Sequence, residues 1–137
     1  MAVGCGGGDN TASIGQAGEK AKAARVVEIR QVDSLLFEPA SIEVKANETV
    51  TLRIVNGGSI IHEFFLGDAK AQDSHNEEME DMGSMPMDMA DTPNSVTVDP
   101  GATEELTWTF PDKGTVQFGC HQPGHYGGGM KGTVTVT

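Results

Sequence analysis

Basic residues are scarce in this chain. Nine Lys and Arg stand against 20 Asp and Glu over 137 residues, giving a formal net charge of −11. A polyanion would be repelled rather than held, which argues against nucleic-acid binding. Aromatic residues make up 5% of the chain, too few for a platform on which unpaired bases stack. No run approaches the roughly 18 consecutive apolar residues of a membrane-spanning helix. The two cysteines, Cys5 and Cys120, rule out a disulfide-dense scaffold. No long amphipathic helix and no strand–helix–strand rhythm is visible. What is present, 37% hydrophobic residues and 18 glycines, suffices for one modest core in one domain.

The chain changes texture at Val26. Residues 1–25 are rich in Gly, Ala, Ser, Asn and Lys, with too little apolar surface to offset the entropy of ordering. They read as a leader or linker outside the domain, with a weak helix between Gln16 and Arg25. Ala2-Val3-Gly4-Cys5 resembles the end of a bacterial lipobox, and a glycine-rich spacer follows it. Cys5 is therefore a candidate lipid-attachment site on an exported protein, with no other contact to a membrane expected.

From Val26 onward, short β-rich runs alternate with turn residues. Expected strands are Val26–Val32, a short run into Phe37 before Pro39, Ile42–Val44, Thr49–Val55, Ser59–Leu66, the pair Val96 and Val98, Glu104–Phe110, Val116–Cys120 and Gly132–Thr137. By two-residue periodicity Ile60, His62, Phe64 and Leu66 share a face, as do Val116, Phe118 and Cys120. About seven short strands of this kind predict an antiparallel β-sandwich, an all-β fold.

Residues 67–93 break the pattern. They hold eight acids against the single Lys70, so this insertion carries −7 of the −11. They also hold His75, Met79, Met82, Met85, Met87 and Met89. No apolar period accompanies these methionines, so packing explains them poorly. Thioethers flanked by carboxylates are suited to Cu(I), with His75 assisting; the alternative is a solvated loop.

The chemistry concentrates near the end of the chain. Cys120, His125 and Met130 are spaced C-x4-H-x4-M on a loop containing Pro123 and four glycines, and His62 lies upstream on a predicted strand. Thiolate, imidazole and thioether are soft or borderline ligands. A Cys and two His in a plane with a distant Met form the blue-copper arrangement. Structural zinc prefers closed Cys and His sets and has little use for a thioether. Strand parity turns His121 away from Cys120, to the surface or to a supporting position. A binuclear copper centre would need a second nearby cysteine, and a copper oxidase more than the four histidines present.

On these residues the chain resembles the cupredoxins, single-domain blue copper proteins related to plastocyanin, azurin and rusticyanin. The matching stretches are Phe37-Glu38-Pro39 with Ile42-Glu43-Val44, Asn56 with His62-Glu63-Phe64, and Cys120–Met130 running into Lys131-Gly132-Thr133-Val134. The resemblance covers residues 26–137 apart from the insertion. It implies a Greek-key β-sandwich of seven to eight strands and one type 1 copper. His62, Cys120 and His125 would be its equatorial ligands and Met130 its axial one. It also implies a monomeric, non-enzymatic carrier of one electron in the periplasm or another extracytoplasmic compartment of a bacterium. A cytochrome or copper oxidase would be its partner. The insertion and leader resemble bacterial copper-tolerance cupredoxins, which gives a second reading in which the Met-rich loop collects Cu(I).

Overall fold

The computed structural model describes residues 14–81 and 92–137. Their ten strands are β1 (Gln16–Ala17), β2 (Arg25–Val32), β3 (Leu36–Glu38), β4 (Ser41–Val44), β5 (Thr49–Asn56), β6 (His62–Gly67), β7 (Ser95–Val98), β8 (Thr103–Thr109), β9 (Gly114–Gly119) and β10 (Lys131–Val136). They form two five-stranded sheets, ordered β1-β8-β5-β2-β3 and β4-β10-β9-β6-β7. The all-β sandwich is as expected, but it is not wholly antiparallel. β2 pairs with β5 in parallel, and β10 pairs with β4 in parallel. Each parallel pair joins strands distant in sequence, which alternation alone does not reveal.

The core follows the period-two pattern. Val50, Leu52 and Ile54 of β5 and Leu106 and Trp108 of β8 are buried in one sheet. Phe64 and Leu66 of β6, Val116 and Phe118 of β9, and Val134 and Val136 of β10 are buried in the other. Phe37, Phe64 and Phe118 form an aromatic cluster with centroids 5.0–5.9 Å apart. Edge-to-face and offset contacts of this kind add to the area they bury. β6 starts at His62, later than expected, and Ile60 lies outside it, 38% exposed.

The leader boundary moves. Ile14 is 3% exposed and belongs to the hydrophobic core. Its carbonyl accepts a hydrogen bond from Trp108 Nε1 at 2.8 Å. β1 then pairs with β8, and Gly18 N–H donates to the Thr107 carbonyl at 3.0 Å. Gly15, at φ +106°, passes so close to β8 that a Cβ there would lie 2.1 Å from the Thr109 carbonyl oxygen. In place of the expected weak helix there is this short strand and a 3-10 turn at Lys20–Lys22. Residues 14–25 therefore pack on the sandwich and are not a linker. Cys5 lies outside the described residues.

A second difference lies in the insertion, where Ala69–Asp81 forms helix α1. Asp68 caps it, its Oδ1 accepting the Ala71 N–H at 2.8 Å. The buried members of the helix are Gln72 and Met79. With His75 and Asn76 they define the i, i+3, i+4, i+7 face expected of a docked helix. That face is mostly polar, so hydrophobic periodicity does not disclose it. α1 contacts β6 and β9, the strands that carry His62 and lead into Cys120.

Ile14→Ala should lower unfolding stability by about 2–4 kcal/mol, because a buried branched side chain is removed from a packed site. Urea titration of the full chain checks this; an unchanged midpoint would return Ile14 to the leader.

Candidate metal centre

The site forms at one pole of the sandwich, from the start of β6 and the loop between β9 and β10. That loop closes on itself. Cys120 N–H donates to the Met130 carbonyl at 3.1 Å, His125 N–H to Gln122 at 2.9 Å, and Met130 N–H to His125 at 3.1 Å. The two ends of the loop are thus hydrogen-bonded together, and Met130 is held beside Cys120, fully buried. Gly124 and Gly129 adopt φ +84° and +104°, a region costly for residues with a Cβ.

His62 is fixed from the other side. Asn56, fully buried, donates its amide N–H groups to the carbonyls of Ile60 (2.8 Å) and Val98 (2.9 Å), while its oxygen accepts the Gly58 N–H at 2.9 Å. This pins the segment that delivers His62. The Nε2 of His62 faces Asp33 Oδ1 at 3.4 Å, and Asp33 Oδ2 accepts the Ser59 N–H (2.8 Å) and hydroxyl (2.7 Å). These hydrogen bonds from Ser59 hold the Asp33 carboxyl below the usual carboxylate range. A carboxylate on the far nitrogen orients an imidazole and raises its basicity as a ligand.

The near nitrogens converge on sulfur. His125 Nδ1 lies 3.4 Å and His62 Nδ1 3.8 Å from Cys120 Sγ. One ligand atom from each of His62, Cys120 and His125 falls within 4.8 Å of the others. Burial, aided for His125 by its neighbour His62 and opposed in both by Asp33, keeps the two imidazoles below their ordinary pKa. Both rings are therefore neutral, as ligands must be. Burial pushes the Cys120 thiol up to about 12, against hydrogen bonds from the Glu63 and Gln122 backbones. A thiolate this deep needs a cation beside it. Two neutral imidazoles, a fully buried thiol and an adjacent buried thioether fit a type 1 copper ion.

A residue model for copper-binding proteins of the plastocyanin/azurin family matches residues 23–137. The chain belongs to this family of copper-binding proteins. It is 38% identical to the copper-resistant cuproprotein CopI of Pseudomonas aeruginosa, over 90% of this chain and 82% of that protein. It is 41% identical to the CopI of Rubrivivax gelatinosus, over 93% of this chain and 76% of that one. Among solved structures, auracyanin B superposes with a TM-score of 0.71 at 28% identity, covering 91% of this chain and 96% of that one. The protein is thus a copper-binding cupredoxin. His62, Cys120 and His125 are brought together as the sequence indicated, and Met130 is buried at the end of the same loop.

The other candidates fare differently. His121 turns away from the metal pole as parity required, and of the two places expected for it, the surface and a supporting position, it takes the second, fully buried. Its ring stacks on Tyr126 at 4.3 Å and lies between the side-chain amides of Gln72 (2.6 Å) and Asn76 (3.1 Å). Burial, with a smaller contribution from the charge of His75, lowers its pKa to about 3. The ring is a neutral structural element. Gly119 makes room for this packing, since a Cβ there would meet the Tyr126 ring at 2.8 Å. His75 pairs with Glu63 and Met79 is fully buried, so both serve the docking of α1. Met82, Met85, Met87 and Met89 lie outside the described residues. Glu63 contributes as well, and the sequence does not mark it, because only the fold brings it against Cys120 and His121.

Copper holds a single unpaired electron in one oxidation state and none in the other, so a bound ion supplies one-electron exchange. The chain supplies the buried sulfur, two oriented imidazoles and a loop closed by its own hydrogen bonds. A pre-ordered ligand set needs little rearrangement between the two oxidation states.

Loading the metal-free protein with Cu(II) at pH 8 should release about one proton per ion, from the Cys120 thiol. Cys120→Ser should release none and should lose the intense visible absorption of the oxidised protein while the far-ultraviolet circular dichroism stays that of a β-sandwich. Strong colour in the serine variant would overturn the ligand assignment.

Proposed function

We propose that the protein is a one-electron type 1 copper protein that serves copper tolerance in an extracytoplasmic compartment, and that it is not an enzyme. The observation that carries this is the assembled His62–Cys120–His125 cluster, its ligand atoms within 4.8 Å of one another. The electron exit is His125. His125 is half-buried, whereas His62, Cys120 and Met130 are fully buried. Its Nδ1 faces the sulfur, and its loop neighbours Gly124, Gly127 and Gly128 are all exposed. A redox protein such as a cytochrome or copper oxidase would take the electron there.

Copper tolerance is supported by relatives named as copper-resistant cuproproteins, similar over nine-tenths of this chain. It is supported also by the methionine and acid content of the insertion. The electron-carrier reading draws on the auracyanins, one of which is a "blue" copper protein from a photosynthetic bacterium. The two share one site and differ in what the methionines add. A lipid anchor at Cys5 would place either at a membrane surface, although no helix among the described residues is long and apolar enough to cross one.

Removing the whole insertion would also remove α1, which packs beside the copper loop, so a narrower change is the better test. Replacing Met82, Met85, Met87 and Met89 together by Leu should leave the visible spectrum and the midpoint potential unchanged. If these residues collect Cu(I), wild type should bind more than one copper ion per chain and the variant only one, with reduced protection of cells against copper. Equal copper content and equal protection would leave the electron carrier as the function.

A further inference from the structure

One almost fully buried carboxylate lies against the copper centre without belonging to its ligand set. Glu63, the residue after His62, is 2% exposed. Its backbone N–H donates to Cys120 Sγ at 3.2 Å. Its Oε1 accepts the N–H of His121, the residue after Cys120, at 3.0 Å. Its Oε2 pairs with Nε2 of His75 on α1 at 2.8 Å. A single residue therefore touches the sulfur with its main chain, fixes the following peptide with one oxygen and reaches the inserted helix with the other.

His75 is itself well placed. Its ring stacks on Phe65 at 4.3 Å, 13° from parallel, and its Nδ1 lies 3.7 Å from Glu78. Burial alone would lower its pKa, but the carboxylates of Glu63 and Glu78 together raise it above the ordinary value. Removing the partner of a buried carboxylate is costly, and the group then moves or recruits water. Any such movement of Glu63 is passed to both the N–H on the sulfur and the peptide after Cys120.

We propose that Glu63 is a positioning residue for the copper thiolate and that His75 sets it, so that the inserted helix tunes the copper centre while contributing no ligand. This rests on the copper reading above. Hydrogen bonding around the cysteine sulfur is one of the levers on the potential of such a site. A weakened N–H···S bond leaves the sulfur a stronger donor to copper, which favours the oxidised ion. The unopposed Glu63 charge acts in the same direction.

The test compares copper-loaded full-length variants. His75→Phe keeps a ring to stack on Phe65 but has no nitrogen for Glu63, and His75→Gln restores an N–H donor. His75→Phe should still bind copper and remain coloured, with a lower midpoint potential and a shifted sulfur-to-copper absorption maximum. His75→Gln should bring both most of the way back. Glu63→Gln, which keeps an acceptor for the His121 N–H but loses the charge, should raise the potential. Wild-type potential and absorption in His75→Phe, or a Gln variant displaced as far as the Phe one, would overturn the proposal. Should His75→Phe fail to fold, Glu63→Gln at the wild-type potential would overturn it instead. A wild type that is colourless with bound Cu(II) would overturn the copper reading itself, which separates the two failures.

Discussion

The structure depends on the burial of one sulfur atom. Cys120 is fully inaccessible, and its thiol is displaced to about 12, so the negatively charged form is reached only when a cation takes the proton's place. Everything around it answers that requirement. Two neutral imidazoles approach from separate elements, a thioether residue is tied to the cysteine by a backbone hydrogen bond, and a main-chain N–H points at the sulfur. The sandwich is the frame for this geometry. Phe64 and Phe118, the core residues two positions away from His62 and Cys120 along their strands, stack at 5.1 Å, so core packing fixes the distance across which the ligands meet.

Placement of the ligands divides the labour between a loop and a strand. Cys120, His125 and Met130 belong to one closed loop whose internal hydrogen bonds set their mutual arrangement. His62 arrives through Asn56, which ties the preceding turn to β7, and through Asp33, which holds the far ring nitrogen. Gly58 allows that approach, because a Cβ there would lie 1.9 Å from the Asp33 carboxylate. The loop and strand meet through Glu63, whose two ends contact both Cys120 and its neighbour. Loss of any of these small residues would be felt at the metal rather than where it occurs.

How much of this is legible in the sequence follows from where the information lies. Strands with one buried face, such as Thr49–Asn56 with Val50, Leu52 and Ile54 inward, announce themselves by alternation. The copper loop is legible because three of the four ligands of the centre fall within eleven residues and share the fixed spacing of a family. The parallel pairing of β2 with β5 is not, since register between distant strands leaves no local mark. Ile14 is hidden because a single apolar residue among glycines and polar neighbours has no period to reveal it. Helix α1 is hidden for a different reason. Its docking face is Gln72, His75, Asn76 and Met79, and three of these four are polar, so the helical spacing is present but the hydrophobic signal is not. Only Asp68, in N-cap position, marks its start.

That polar docking face bears on why the helix stands where it does. A helix held by Leu and Val would pack equally well over many parts of a sheet, because apolar contact is non-directional. Gln72 donates to the carbonyls of Phe65 (3.1 Å) and Gln117 (3.0 Å) and meets His121 with its oxygen. His75 meets Glu63, and Asn76 meets His121. Polar contacts of this kind are directional, and a buried polar group left unmatched costs about 1–3 kcal/mol. These contacts favour the register that seats the helix on the residues following His62 and Cys120. Specificity of this kind is what a segment needs if its position is to be sensed by the metal, and it ties the insertion mechanically to the centre it accompanies.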